Sequence, residues 1–482
     1  MRGREWILPG IGVFLFLLFL FLPPVEPLTL LGMKAIGVFL FTIIWWSTVG
    51  TGVSSILAIV LIILTGIMPY KAALFNSFGY WLAIFVLGIN GMSHALDIHG
   101  YTRRFALWFI SRRFVAGHPW RLVTMFLVSC TIVGSVMSGA ATALIFIAIA
   151  EPMLAAMGYK KGDKFASTFM MGIAWVATVS LSVTPIGHAG NILAIEWIKR
   201  DFGYEISFLQ WMAFGIPMGI LTLVVLLLIF RYIVNPDVSR IKATGDEYIK
   251  SELIKLGPMK LEEKISLAVF GTAVFIWIIP SIISPVFPQV SSYLDTIGIA
   301  TTAMLGACLL RLIHVHGKPI MSFRSWMRDG VEWETYMLLA AIGIVSAVIE
   351  NPETGIVAYL NGVSTPIANA LPGYGFVAFA MLWVVLQTNV MSNTVSFTTV
   401  YAILIPVALA TGKAYGPALG MALASAANYA FSLPSATTST ALVTGNGWVP
   451  VPFMAKYGLP LVIPVVILFT LLGYPLAELI FR

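Results

Sequence analysis

The stretch "QTNVMSNTVSFTTV", residues 387–400, decides how this chain folds. Most of its residues are Ser, Thr, Asn or Gln, and none is charged. It lies between two long apolar runs, "GFVAFAMLWVVL" before it and "YAILIPVALA" after it. A neutral polar knot inside apolar sequence needs a reason, because unpaired polar groups are costly where water is absent.

The setting is a membrane. Of 482 residues, 59% are hydrophobic and only 10% are charged, against roughly a quarter charged in soluble domains. Runs such as "ILPGIGVFLFLLFLFL", "GVSSILAIVLIILTGIM" and "IPMGILTLVVLLLIF" suit crossing a hydrocarbon core. The short alternating segments of a β-barrel are missing. Arg2 and Arg4 precede the first run, but "LPPVEPLTLLG" follows it in place of a small-residue cleavage pattern, so the run is expected to be retained as a helix. Cys130 and Cys308 lie in apolar sequence, which indicates neither a disulfide framework nor a metal cluster.

The expected fold is an all-α polytopic membrane protein, with about 11 transmembrane helices plus two re-entrant hairpins at 120–156 and 374–411. With the N-terminus on the cytoplasmic side, 22 of the 28 Lys and Arg residues fall inside, as the positive-inside rule requires. The C-terminus then falls outside. The net charge of +7 is thereby explained without nucleic acid. The basic, aromatic segment 96–114, "LDIHGYTRRFALWFISRRF", is expected to lie along the interface with its arginines on phospholipid.

The chain reads as two similar halves. Residues 1–27 form a first helix, 28–236 a first repeat and 264–482 a second, with a cytoplasmic linker at 237–263. "YWLAIFVLGINGMSHALDIHG" begins at Tyr80, and "YMLLAAIGIVSAVIENPETG" begins at Tyr336. Tyr80 to Ser138 is 58 residues and Tyr336 to Ser392 is 56; Ser138 to Thr184 is 46 and Ser392 to Thr437 is 45. An odd number of spans per half orients the halves oppositely. Inverted repeats characterise alternating-access carriers, with the cargo bound at midplane where discontinuous helices meet.

Four polar knots fall two to a half: "VGSVMSGAATA" (133–143), "LSVTPIGHAGN" (181–191), "TNVMSNTVS" (388–396) and "LPSATTSTALVTGNG" (433–447). The second and fourth lie in expected broken helices, 166–198 and 414–446, which closing helices at 208–233 and 456–480 follow. Pro185 and Pro434 each remove a helix donor. Broken helices offer N–H groups to an anion and carbonyls to a cation such as Na⁺. An isolated knot of this type serves helix packing; four in matched places point to a site for small ions. No Lys or Arg occurs in any knot, so an anion would be held by neutral donors and released readily.

These residues resemble the divalent-anion/sodium symporter family, whose members carry dicarboxylates, citrate and sulfate. "MSNTVSF" carries the family's Ser-Asn-Thr as Ser392, Asn393 and Thr394, with Thr388 four residues before the Ser. "VTPIGHAGN" is similar to the first-repeat break through Thr184, Gly187 and Asn191, and "LPSATTSTA" to the second through Pro434, Ala436 and Thr437. The resemblance implies Na⁺ as coupling ion, held by Thr388, Ser392, Asn393 and Ala436, with a first site at Ser138 and Gly187. It implies substrate contacts from Ser138, Thr184, Asn393, Thr394 and Thr437, a di- or tricarboxylate cargo, and a homodimer. Gly139 and Ala140 stand where the first repeat would have Asn and Thr. Thr438, Ser439 and Thr440 replace a Pro-Pro-Asn, and His188 replaces a small hydroxyl residue as a possible proton carrier or anion contact.

These departures keep alternatives open: a Na⁺-independent exchanger, or an H⁺-coupled carrier of sulfate, sulfonate or monocarboxylate. An intramembrane enzyme would need a nucleophile–base set or a motif such as H-E-x-x-H, which the sequence lacks. A channel would want a continuous polar stripe rather than paired clusters.

Overall fold

The computed structural model describes residues 6–115, 117–238, 240, 244–359, 362, 366 and 371–481. Apart from a two-strand ladder pairing His314–Val315 with Lys318–Pro319, its regular structure is helical. Among the described residues eight helices are long and apolar enough to cross a bilayer, or ten if two bent pairs count as one span each. The chain is an all-α polytopic membrane protein.

Two spans expected from apolar sequence, 7–22 and 50–69, form helices shorter than those runs. The run at 7–22 is the 15-residue helix Ile7–Phe21, and that at 50–69 is the 14-residue helix Thr51–Leu64. The linker is partly helical, at Thr244–Leu256.

The helices sort into an outer and an inner set. Outer helices include Leu30–Thr48, Thr51–Leu64, Trp81–Ile98, Leu261–Ile283, Pro288–Leu312 and Trp333–Glu350, packed mainly on one another. Their apolar faces remain open: in Leu261–Ile283 the residues buried in protein are Glu263, Ser266, Phe270, Ala273, Trp277 and Pro280, so lipid solvates the rest. Residues 165–182 are all buried and sit at the centre of the inner set. The hydroxyls at Thr168, Thr178, Ser180 and Ser182 each donate to a carbonyl three or four residues back, which satisfies them without water.

Two helix–turn–helix units complete the inner set: Pro119–Gly134 with Gly139–Ala156, and Gly373–Thr388 with Asn393–Thr411. Two helices are interrupted. Lys164–Val179 passes through short 3-10 turns and restarts as Ala189–Phe202; Gly416–Ala426 ends, and Thr438–Gly445 follows. The packing is exchanged between halves. The first helical hairpin seats on Lys164–Val179 and Thr438–Gly445, while the second seats on Gly416–Ala426 and Ala189–Phe202.

The interruptions are held by side chains. Trp211 Nε1 donates to the Ser182 carbonyl at 3.1 Å, and Trp175 Nε1 to the Phe431 carbonyl at 2.8 Å. Asn389 Oδ1 accepts from Phe431 N, Ser432 N and Ser432 Oγ at 2.8, 2.9 and 2.7 Å. The helix Phe208–Leu228 approaches the first interruption so closely that a Cβ at Gly215 would lie 2.5 Å from the Val183 carbonyl oxygen.

Two arginines of the basic segment have partners other than the phospholipid expected for them. Within the helix Tyr101–Ile110, Arg103 pairs with Glu252 at 2.8 Å, and Arg104 pairs with Glu263 at 2.6 Å and donates to the carbonyls of Leu256 and Gly257. These arginines meet the central linker rather than phospholipid, because the linker supplies both carboxylates and free helix-end carbonyls.

Candidate functional site

Four helices of the inner set begin at one cavity. Ser138 starts Gly139–Ala156, His188 starts Ala189–Phe202, Ser392 starts Asn393–Thr411, and Thr437 starts Thr438–Gly445. All four starting residues line the same space of about 450 Å³. Each helix start presents N–H groups and the positive end of a dipole, so the cavity favours negative charge. Its outer wall comes from Trp81–Ile98 through Val86, Ile89 and Asn90, and from Glu332 and Glu334 at the start of Trp333–Glu350.

The caps differ in what they leave available. Ser138 Oγ accepts from Ala141 N, and Thr437 Oγ1 from Thr440 N, both at 3.3 Å. Ser392 makes no side-chain cap, so its hydroxyl does not take up the first N–H groups of its helix. His188 Nδ1 accepts from Gly190 N at 3.3 Å, which fixes the hydrogen of a neutral ring on Nε2. That atom lies 3.3 Å from Thr394 Oγ1, so one donor set joins the first interrupted helix to the second hairpin.

Of the residues singled out from sequence, Ser138, Gly187, His188, Ser392, Asn393, Thr394, Ala436 and Thr437 line the cavity. Thr184 and Thr388 lie behind its wall. Thr184 is 5% exposed and its hydroxyl donates to the Ser135 carbonyl, so it ties the interruption to the first hairpin tip instead of facing the cavity. Thr388 is fully buried; its hydroxyl donates to Asn393 Oδ1 at 2.8 Å and to the Ala427 carbonyl. Thr388 Oγ1, Asn393 Oδ1 and neighbouring carbonyls are neutral hard oxygens, a donor set that fits Na⁺.

Asn428 and Asn389 carry parts of the site that sequence reasoning did not single out. Asn428 Nδ2 donates to Asn191 Oδ1 at 3.1 Å, and Asn393 Nδ2 reaches Asn428 Oδ1 at 3.5 Å. Asn191 Nδ2 in turn donates to the carbonyls of Leu181 and Thr184 at 2.6 and 2.9 Å. With the bond from Thr184 to the Ser135 carbonyl, a buried path therefore runs from one hairpin through both interruptions to the other. An Asn in apolar sequence, "ALASAANYAFSL", was the available signal for Asn428.

Buried interruptions around an anion-favouring cavity, inside a polytopic helical protein, define a membrane transport protein rather than an enzyme. Residues 4–480 match the family described as "Sodium:sulfate symporter transmembrane region", and the chain belongs to that family. It is 26% identical over 459 residues to a protein of Staphylococcus saprophyticus subsp. saprophyticus named sodium-dependent dicarboxylate transporter SdcS, covering 93% of this chain and 86% of the relative. The protein of the same name from Staphylococcus aureus strain USA300 is 26% identical over 461 residues, with the same coverage.

Proposed function

We propose that this protein is a sodium-coupled symporter of a small organic anion, working by alternating access in a cytoplasmic membrane. The observation that carries this reading is the meeting of four helix N-termini and two chain interruptions at one cavity. The dipoles favour the anion, while Asn393 Oδ1, the Thr388 hydroxyl and carbonyls near Ala436 suit Na⁺. One residue, Asn393, belongs to both sets, so ion and anion each improve the other's site. The reading draws on the family and on the names its relatives carry.

The inner set is the moving unit and the outer set its frame. Their boundary crosses the cavity, so displacement of one against the other carries bound ions across the bilayer. The turn near Gly50 and the start of Trp333–Glu350 line the cavity, and the charge distribution along the sequence puts both on the cytoplasmic side. The conformation described is then inward-facing, with a cytoplasmic N-terminus, an external C-terminus and, by family likeness, two copies in the assembly.

The test is uptake into proteoliposomes of a panel of labelled small anions, with an inward Na⁺ gradient or with K⁺ in its place, for the wild type and Asn393→Ala. Uptake that needs Na⁺ and is lost in the variant supports the reading. Wild-type uptake indifferent to Na⁺ would sink it in favour of exchange or proton coupling.

A further inference from the structure

One wall of the cavity belongs to the outer set. Trp81–Ile98 brings Asn90 and Ser93 to it, three residues apart and hence on one helix face. Ser93 Oγ donates to the Val136 carbonyl at 3.3 Å, so this face bears on the tip of the first hairpin. The next residues of that tip, Met137 and Ser138, also line the cavity. Ser138 begins Gly139–Ala156, whose first N–H groups and dipole favour an anion.

Asn90 differs from several other donors that the outer set brings to the cavity. The Trp46 indole donates to Ser55 Oγ at 2.9 Å, the Ser47 hydroxyl to the Ile43 carbonyl at 2.8 Å and the Thr335 hydroxyl to Glu332 at 3.3 Å. Like Ser93, each is spent within the protein. Asn90 Nδ2 is buried and has no hydrogen-bond partner among the described residues. A buried amide N–H left unpaired weighs against the fold that contains it, so the position calls for an acceptor from outside the chain. The terminal torsion of an Asn is broad, which lets the amide turn its N–H to the cavity. Its neighbours on that wall, Phe85, Val86 and Ile89, are apolar and offer no competing side-chain acceptor.

Resting on the symporter reading and the inward-facing conformation above, we infer that Asn90 is a substrate-binding residue supplied by the frame. Its amide donates to an oxygen of the anion beside the first hairpin tip, and does so only while the cavity faces the cytoplasm. His188, Asn393 and Thr394 belong to the moving unit and travel with the anion. Asn90 stays behind, because Trp81–Ile98 packs mainly on the outer helices Pro288–Leu312 and Leu261–Ile283. The Ser93 bond to Val136 spans the same boundary and parts with it. Displacement of the inner set thus strips one hydrogen bond from the cargo, and the frame adds to affinity on one side of the membrane alone.

The experiment measures KM at each face separately, with labelled succinate, citrate and sulfate as probes and Na⁺ on the side of the label. Whole host cells without uptake of their own report the external face, and inside-out vesicles from them the cytoplasmic face. Wild type is compared with Asn90→Leu and Asn90→Asp, which keep the size of the side chain and lack its N–H. Asn90→Leu should raise the cytoplasmic KM about tenfold relative to the external KM, the worth of one hydrogen bond to a charged group. Asn90→Asp should raise that ratio further, because its carboxylate faces an anion. In detergent Asn90→Leu should unfold no earlier than wild type, since no partner is lost; earlier unfolding with an unchanged KM ratio would mark Asn90 as structural. An equal rise at both faces, or no change at either, overturns this inference and leaves a Na⁺-dependent symporter standing. Wild-type uptake of none of the three probes, or uptake indifferent to Na⁺, overturns the symporter reading and this inference with it.

Discussion

Asn428 Nδ2 donates to Asn191 Oδ1 at 3.1 Å, and both side chains are wholly buried. This bond joins the two interrupted helices. Asn428 also orients Asn393 through its own oxygen. Replacing Asn428 by Ala leaves buried groups on Asn191 and Asn393 without partners, at about 1–3 kcal/mol each. Asn428→Leu and Asn191→Leu together should cost less than the sum of the single changes, with a coupling of about 0.5–3 kcal/mol in a double-mutant cycle read by thermal unfolding. Additive losses would show that the bond couples nothing.

His188 does two jobs that substitutions can separate. As a cap its Nδ1 accepts from Gly190 N; toward the cavity its Nε2 meets Thr394. His188→Ala should cost about 1 kcal/mol of stability for the lost cap and raise the KM for the anion about tenfold. His188→Asn should recover the stability, since Asn caps well, but not the KM. Recovery of both would mean that His188 acts only as a cap.

Asn389 pins the second interruption by accepting from Phe431 N, Ser432 N and Ser432 Oγ. In Asn389→Ala two buried N–H groups lose their acceptor, so a loss of about 2–6 kcal/mol is expected. The measurement is tryptophan fluorescence during thermal unfolding in detergent. Unchanged unfolding would show that this acceptor is dispensable.

Arg103 and Arg104 are adjacent but should not behave alike. The Glu263 side chain is 3% exposed beneath Arg104, whereas Arg103 is itself 46% exposed against Glu252. Arg104→Ala strands a buried carboxylate and should destabilise the protein by about 3–5 kcal/mol. Arg103→Ala should cost about 0–1 kcal/mol. Neither effect should depend on anionic lipid content, because both arginines bind the linker; a strong lipid dependence would restore phospholipid as their partner.

Gly187 has little freedom to change. A Cβ there would lie 2.6 Å from the Leu181 carbonyl oxygen, so Gly187→Ala must displace backbone at the first interruption. It should lower stability by about 1–3 kcal/mol, and also lower the apparent Na⁺ affinity if this interruption holds an ion. Uptake measured against Na⁺ concentration checks the second effect.

The sequence by itself determined the class of fold and most of the cavity wall. Low charge and long apolar runs leave a bilayer as the setting, and a bilayer tolerates polar, broken helix only in a few places. Hence the knots around Ser138, His188, Ser392 and Thr437 could be read as one kind of feature from composition alone.

Which of those residues face the cavity was decided only by tertiary structure. Thr184 and Thr388 carry the same chemistry as Thr394, but their hydroxyls are spent on the Ser135 and Ala427 carbonyls behind the wall. Asn428 gains its place from contacts to Asn191 and Asn393, 237 and 35 residues away. Arg103 and Arg104 turned from lipid to the linker because distant carboxylates, Glu252 and Glu263, come to lie beside them. Local sequence fixes what a side chain can donate or accept; the partner that uses that capacity comes from elsewhere in the chain, and only folding brings it within reach.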